Sequence, residues 1–184
     1  MIKFAIRRLR PSDSLDELTR LLHRAFDALV HDGLVCECSH QTLERTRQRA
    51  ARGECFVAVC EGQVIGTMTL EGPDRCASIG TYRDAGTASI HQLAVDPSRQ
   101  REGVGCALVV YAASWARARR FKRLALDTPE AAHHQVAWYF DRGFQLAETV
   151  HVAGRRYASV VLAMPIIQLA RPTRPLGNLQ LVRP

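Results

Sequence analysis

Residues 88–120, "ASIHQLAVDPSRQREGVGCALVVYAASWARARR", hold the feature that most limits what this chain can fold into. The apolar run Ala88 to Val95 reads as a strand buried on both faces, and Asp96 with Pro97 stops it. A turn bearing Gly103 and Gly105 follows. Leu108, Tyr111, Ala112 and Trp115 then mark one face of a helix starting near Val104. Arg117, Arg119 and Arg120 sit at its far end, where cations suit the helix dipole.

The glycine turn has two readings. In one it is only a tight connection, since glycine commonly serves to turn the chain. In the other it grips an anion: the first N–H groups of a helix have no partner within it, and Gly103 and Gly105 leave phosphate oxygens room to approach the main chain. Arg99 and Arg101 add positive charge. There is no GxxxxGK[ST], and no GxGxxG near the N-terminus with an acidic residue further on, so nucleotide triphosphatase and dehydrogenase readings fall away.

The flanking patterns complete an α/β order. Ile2, Phe4 and Ile6 alternate with polar or small residues as a half-buried strand, which Pro11 ends. Ser14 and Glu17 form a capping box for a helix carrying Leu15, Leu18, Leu22, Ala25, Phe26 and Leu29. A weaker helix is predicted over 39–52, opened by Ser39, with a loop before it. "CFVAVC" and "VIGTMTL" flank Glu61, Gly62 and Gln63 as a hairpin. Residues 71–87 read as an extended connection. "RLALD" is a strand, after which Thr128 as cap and Pro129 at the first helical position predict a helix reaching Asp141 or Arg142, ended by Gly143. "FQLAETV" and "RYASVVLAM" are two strands around a turn at Gly154. The predicted order is β-α-α-β-β-β-α-β-α-β-β.

With 184 residues, 47% of them hydrophobic, the chain is expected to be one domain over 1–164, followed by a basic arm over 165–184 that contains four prolines. The net charge of +7 comes almost entirely from arginine and favours anionic partners: nucleic acid, acidic membranes or a polyphosphate ligand. Aromatic residues make up only 7%, mostly in apolar runs, which disfavours a nucleic-acid binder. Six cysteines are scattered, and Met1 to Leu9 is too short and too basic for a secretory leader, so reduced thiols and a cytoplasmic location are expected. Cys36, Cys38 and His40 lack a CxxC pair and are weighed as an ordinary loop against a metal site. No apolar run reaches membrane-spanning length.

"LAVDPSRQREGVGCAL" resembles the signature segment of the GCN5-related N-acetyltransferases (GNAT), with Gln100, Gly103 and Gly105 in the three fixed places of [QR]-x-x-G-x-[GA]. "WYFDRGF" resembles a second family stretch, with Tyr139 four residues before Gly143. Many relatives carry Asn seven residues before that Tyr; here the place is Ala132. The resemblance implies a mixed, mainly antiparallel sheet of six to seven strands flanked by four helices, with strands 4 and 5 splayed around acetyl-CoA. Pantetheine amides would then meet the main chain of Leu93, Ala94 and Val95, as an added strand would. The pyrophosphate would lie on N–H groups of Arg101, Glu102, Gly103, Val104, Gly105 and Cys106. No metal is implied.

Acyl transfer to an amine needs a neutral nucleophile, a donor for the oxyanion and a proton for the thiolate. Main-chain N–H at or next to Leu93 suits the second need. Tyr139 suits the third by its place in the motif, the alternative being a core aromatic. His91, two residues before Leu93 and on the same strand face as Ser89, titrates in the range a base requires, the alternative being a hydrogen-bonded core histidine. Arylalkylamine acetyltransferases place a catalytic His at this point. His133 and His134 point about 100° apart on a helix and read as exposed surface. The acceptor pocket would draw on the 28–38 loop and the 149–156 turn. There Asp27, Asp32 and Glu37 would attract an amine, and His151, Arg155 and Arg156 a carboxylate. The expected activity is amine acetylation in a ternary complex; the rival is a non-catalytic acyl-CoA sensor. Expected partners are acetyl-CoA, an amine and, as an open option, a second copy of the chain, with no membrane.

Overall fold

The computed structural model describes residues 2–166. Seven strands form one open sheet: β1 (Ala5–Arg8), β2 (Glu54–Cys60), β3 (Gln63–Glu71), β4 (Thr87–Val95), β5 (Arg123–Pro129), β6 (Gln145–Val150) and β7 (Ser159–Pro165). The spatial order is β1-β2-β3-β4-β5-β7-β6, and every pair is antiparallel except β4 with β5. Five helices accompany it: α1 (Leu15–His31), α2 (Leu43–Ala51), α3 (Gly80–Arg83), α4 (Val104–Ala118) and α5 (His133–Phe140). Among the described residues no helix is long and apolar enough to cross a membrane.

Alternation along the strands loads both faces of the sheet. Phe56 and Ala58 of β2, Met68 and Leu70 of β3 and Leu124 and Leu126 of β5 join Leu108, Ala112 and Trp115 of α4 in the main core. The intervening Cys55 and Val57 pack with Leu18 of α1, while Leu21 and Leu22 of α1 cover Ala94 of β4. Burying each such leucine contributes about 1.5–3 kcal/mol, so the period-two strands and the 3.6-period stripe of α1 are satisfied by one arrangement.

Ser14 caps α1 as its spacing predicts, accepting from the Glu17 N–H at 3.2 Å. The β2–β3 hairpin turns on Glu61 and Gly62, both at positive φ (49° and 80°), which suits a two-residue connection between twisted strands. Several elements differ from those read in the sequence, among them β1, which opens at Ala5 and not Ile2, and β7, which opens at Ser159 and not Arg156. The second helix opens at Thr42, whose Oγ1 accepts from the Arg45 N–H, and Ser39 instead ends a short 3-10 turn over Glu37–Ser39. Thr128 and Pro129 continue β5, pairing with Val160 and Ser159, so α5 begins only at His133. The cap-like pair yields to the ladder, although Thr128 still reaches α5 by donating its hydroxyl to Gln135 Oε1 at 3.0 Å. The connection between β3 and β4 contains α3, a fifth helix, where Ile79 and Tyr82 pack on Ala125 and Val161. Past Ile166, the basic arm expected over 165–184 lies outside the described residues; Pro165 itself ends β7.

Two features open the sheet. β4 and β5 pair only from Thr87 to Ser89 against Arg123 to Ala125, so their later residues face no partner strand across that gap. The β3–β4 register slips between Thr67, opposite Ala94, and Thr69, opposite His91. One extra residue is thus accommodated in β4, with Gln92 at φ 51°. A bulge of this kind bends its strand and increases the local twist, which carries the end of β4 away from β5.

Candidate active site

The gap between β4 and β5 opens into a cleft of about 700 Å³. One end is built from the turn before α4. Asp96 caps the short turn Pro97–Arg99 through the Ser98 N–H (3.0 Å) and is held to α1 by Arg24 Nη2 (2.6 Å), which fixes where the following loop starts. Arg101 and Gly103 both have positive φ (63° and 88°). A Cβ on Gly103 would meet nothing within 4 Å, so the space in front of it is open, while its φ is one that side chains rarely adopt. Helical bonding resumes only with the Ala107 N–H on Gly103 O at 3.0 Å. Among the described residues, none of the six consecutive N–H groups from Arg101 to Cys106 has a hydrogen-bond partner. That row of free donors at the positive end of α4 fits a diphosphate.

Gln100, Arg101, Gly103, Gly105 and Cys106 line the cleft, as do Leu93, Ala94 and Val95. Glu102 and Val104 do not; Val104 is 1% exposed and packs in the core, so only their main chain is offered to a ligand. Trp138 of α5 closes this end, its ring 3.4 Å from where a Gly105 Cβ would lie, with the Arg142 guanidinium stacked 3.6 Å from the ring centroid. Ala132, in the place where many relatives carry Asn, is buried against Leu29 and Leu34 and brings no polar group.

The middle of the cleft brings His91 and Tyr139 to the same cavity. His91 Nε2 is 2.8 Å from Ser89 Oγ and 3.9 Å from Glu71 Oε2, and its ring meets Tyr82 edge-on at 5.3 Å. Burial pulls its pKa below the ordinary histidine value, against the opposing pull of the Glu71 and Asp127 carboxylates, so the imidazole is neutral at pH 7. Tyr139 is wedged between Trp138 and Phe144, with ring centroids at 5.0 and 5.5 Å. Burial, reinforced by the Asp127 charge, pushes its phenol far above the usual value and keeps it a proton donor.

The other end is assembled from side chains of five separate segments. Asp127 Oδ1 accepts from the Tyr82 hydroxyl (2.9 Å) and Oδ2 from Arg155 Nη1 (2.7 Å). Burial, and next the Asp127 charge, raise the Tyr82 pKa well above its ordinary value, so this donor also stays protonated. Cys36, Glu37 and Cys38 approach from the loop after α1, and Tyr157 OH donates to Val35 O at 3.2 Å, tying that loop to the segment before β7. Hydrogen bonding from Cys38 holds the Cys36 thiol below its usual pKa. Arg49 of α2 donates to Gln41 Oε1 at 2.8 Å and to Cys38 Sγ at 3.2 Å.

Of the acceptor residues expected from sequence, Glu37 and Arg155 line the cleft, whereas Asp27, Asp32, His151 and Arg156 are exposed elsewhere. His134, though exposed, borders the cleft, and His133 does not. Sequence reasoning missed Tyr82, Arg49, Asp127 and the Gln92 bulge. A carboxylate closing the apolar run "RLALD" was a readable sign of Asp127; nothing local marks the others. Among the described residues no group of three or more His, Cys, Asp or Glu is placed to hold a metal ion.

A family model for the acetyltransferase (GNAT) family matches residues 15–144, from the start of α1 through Phe144. The chain belongs to the GNAT acetyltransferase family. No curated protein matches it in sequence. Among solved structures, this GNAT protein resembles the ribosomal-protein-S18-alanine N-acetyltransferase from Escherichia coli, with a TM-score of 0.65 and 19% identity over 94% of this chain and 99% of that one. It also resembles a GNAT family acetyltransferase from Elizabethkingia anophelis with acetyl-CoA bound (TM-score 0.62, 19% identity, 88% and 97% covered). The PaiA N-acetyltransferase from Thermoplasma acidophilum in complex with coenzyme A gives a TM-score of 0.69 at 14% identity, with 89% and 99% covered. At these identities the likeness is one of fold, and the GNAT sheet with its parallel β4–β5 pair is that fold.

Proposed function

We propose that this GNAT protein moves an acetyl group from acetyl-CoA to a primary amine by direct transfer in a ternary complex. The observation that carries the reading is the run of six N–H groups, Arg101 to Cys106, unpartnered among the described residues, at one end of a cleft that also holds His91 and Tyr139. Acetyl-CoA, when bound, supplies a thioester activated toward attack by an amine. The Arg101–Cys106 main chain holds its diphosphate, with Arg101 adding charge. Leu93, Ala94 and Val95 offer main-chain groups to the pantetheine arm where β4 has left β5. N–H at or next to Leu93, beside the bulge, stabilises the oxyanion.

His91 takes the proton of the acceptor ammonium, directly or through water. An imidazole kept neutral by its surroundings is free to do so at pH 7, where an amine with a pKa of about 10.4 is mostly protonated. Tyr139 gives its proton to the departing sulfur. Its raised pKa makes it a weaker acid than free phenol, but the burial that raises the phenol also raises a thiolate beside it, so the transfer stays matched within one desolvated site.

Calorimetric titration with acetyl-CoA, followed by an amine screen that reads thiol release, tests this. Binding near 1:1 with thiol release from at least one amine is expected. Folded protein that takes up no acetyl-CoA removes the reading; binding without thiol release from any amine makes the protein a sensor.

A further inference from the structure

We propose that the acceptor is an amino carboxylic acid whose carboxylate is read by Arg155, an inference that rests on the cleft being an acyl-transfer site. The acids and the bases at the acceptor end are satisfied unequally. Both oxygens of Asp127 are taken, Oδ1 by Tyr82 and Oδ2 by Arg155. Both oxygens of Glu37 are taken as well, Oε1 by Arg45 and Oε2 by Arg49 at 3.5 Å. The charge of each carboxylate is thus already paired, Asp127 with Arg155 and Glu37 with Arg45 and Arg49.

The guanidinium of Arg155 is only half used. Its Nη1 donates to Asp127 Oδ2 at 2.7 Å and to Ser159 Oγ at 3.0 Å, while among the described residues Nε and Nη2 have no partner. Those two nitrogens form one edge of the planar fork, and that edge matches a carboxylate bidentately. The side chain is 28% exposed and lines the cleft, so the free edge is held by Asp127 and Ser159 yet reachable. Arg49 is arranged alike: Nη1 serves Gln41, Cys38 and Glu37, and Nε and Nη2 have no partner among the described residues.

With three arginines (Arg45, Arg49 and Arg155) paired to two carboxylates (Glu37 and Asp127), and two of those arginines keeping a free edge, this end favours an anion. Polyamines and other acceptors without an acidic group meet only carboxylates already paired with arginine here. The same wall leads to the base, since Tyr82 both donates to Asp127 and packs edge-on against His91. A molecule with its amine at His91 and its carboxylate at Arg155 lies along that wall.

The test uses matched sets: free amino acids, each beside its carboxamide and its decarboxylated amine, assayed for thiol release with acetyl-CoA. Wild type should favour the acid over both analogues by about 10- to 100-fold in kcat/KM, the worth of a charge-assisted bidentate pair. Arg155→Gln should collapse that ratio toward one. Arg155→Lys keeps the charge but loses the fork and should fall between, so it serves if Arg155→Gln does not fold. Equilibrium binding of the same amino acids to protein loaded with coenzyme A gives a readout independent of turnover. Binding that depends on Arg155, without thiol release, supports carboxylate recognition while removing the acetyl-transfer reading. Equal use of acids and decarboxylated amines, an unchanged ratio in both variants, or no amino acid binding at all overturns the proposal.

Discussion

The two ends of the cleft are made of different materials. At the α4 end the groups offered are main-chain N–H from six adjacent residues, and side chains matter mainly by their absence, as at Gly103. At the other end Cys36 and Glu37, Arg49, Asp127 and Arg155 arrive from four separate places in the chain, with Tyr82 holding Asp127 from a fifth. A site of the first kind depends on local backbone conformation and is written in residue order. A site of the second kind depends on packing and can change its specificity without disturbing the first.

If that division holds, substitutions should sort by where they fall. The largest effect belongs to the junction. Tyr139→Phe should lower kcat by ~10²–10⁴-fold while leaving acetyl-CoA affinity unchanged, read by steady-state kinetics beside calorimetry. His91→Ala should cost about 100-fold in kcat/KM and remove the acid limb of the pH-rate profile. In wild type that limb lies below pH ~6.5, because burial lowers the His91 pKa from there. Stability follows the same sign: the unfolded chain takes up a proton the buried imidazole resists, so Tm should decline as pH drops below about 6.5, and less so in His91→Ala.

Gly103→Val attacks the first material alone. It should weaken acetyl-CoA at least about tenfold and, through strain of about 1–3 kcal/mol at φ 88°, lower Tm by several degrees. Gly62→Val is its control: the same kind of strain at φ 80° in the β2–β3 turn should lower Tm similarly and leave acetyl-CoA binding alone. Equal losses of affinity in both would show strain, and not the cradle, to be responsible. The smallest effect is expected from Tyr157→Phe, which removes the hydroxyl bond to Val35 O. A neutral hydrogen bond is worth about 0.5–1.5 kcal/mol, so KM for the amine should rise a few-fold with acetyl-CoA affinity unmoved. A change in acetyl-CoA affinity there would erase the boundary between the two ends.

The same contrast decides what could be read before the fold was known. The Ser14–Glu17 cap, the Glu61–Gly62 turn and the Gly103 loop are local, and each appears where residue order places it. Thr128–Pro129 is also a local helix signal, yet Val160 and Ser159 of β7 hold it in the sheet, a partner some thirty residues away that no short pattern announces. His91 beside Ser89 follows from strand alternation; Tyr82 beside His91 requires α3 to fold over β5 and β7. Residue order sets Arg155 beside the acceptor pocket together with His151 and Arg156, but that Asp127 holds Arg155 alone of the three follows only from the packing.

The slip in β4 reaches further than its size suggests. His91 and Ala94 stand opposite Thr69 and Thr67, so two positions three apart share one face where an unbroken strand would set them on opposite sides. Shortening the chain by Gln92 would restore one-to-one pairing of β4 with β3 through this stretch and remove the bend beside the cleft. The bend that borders the cleft is written here as one surplus link in the backbone.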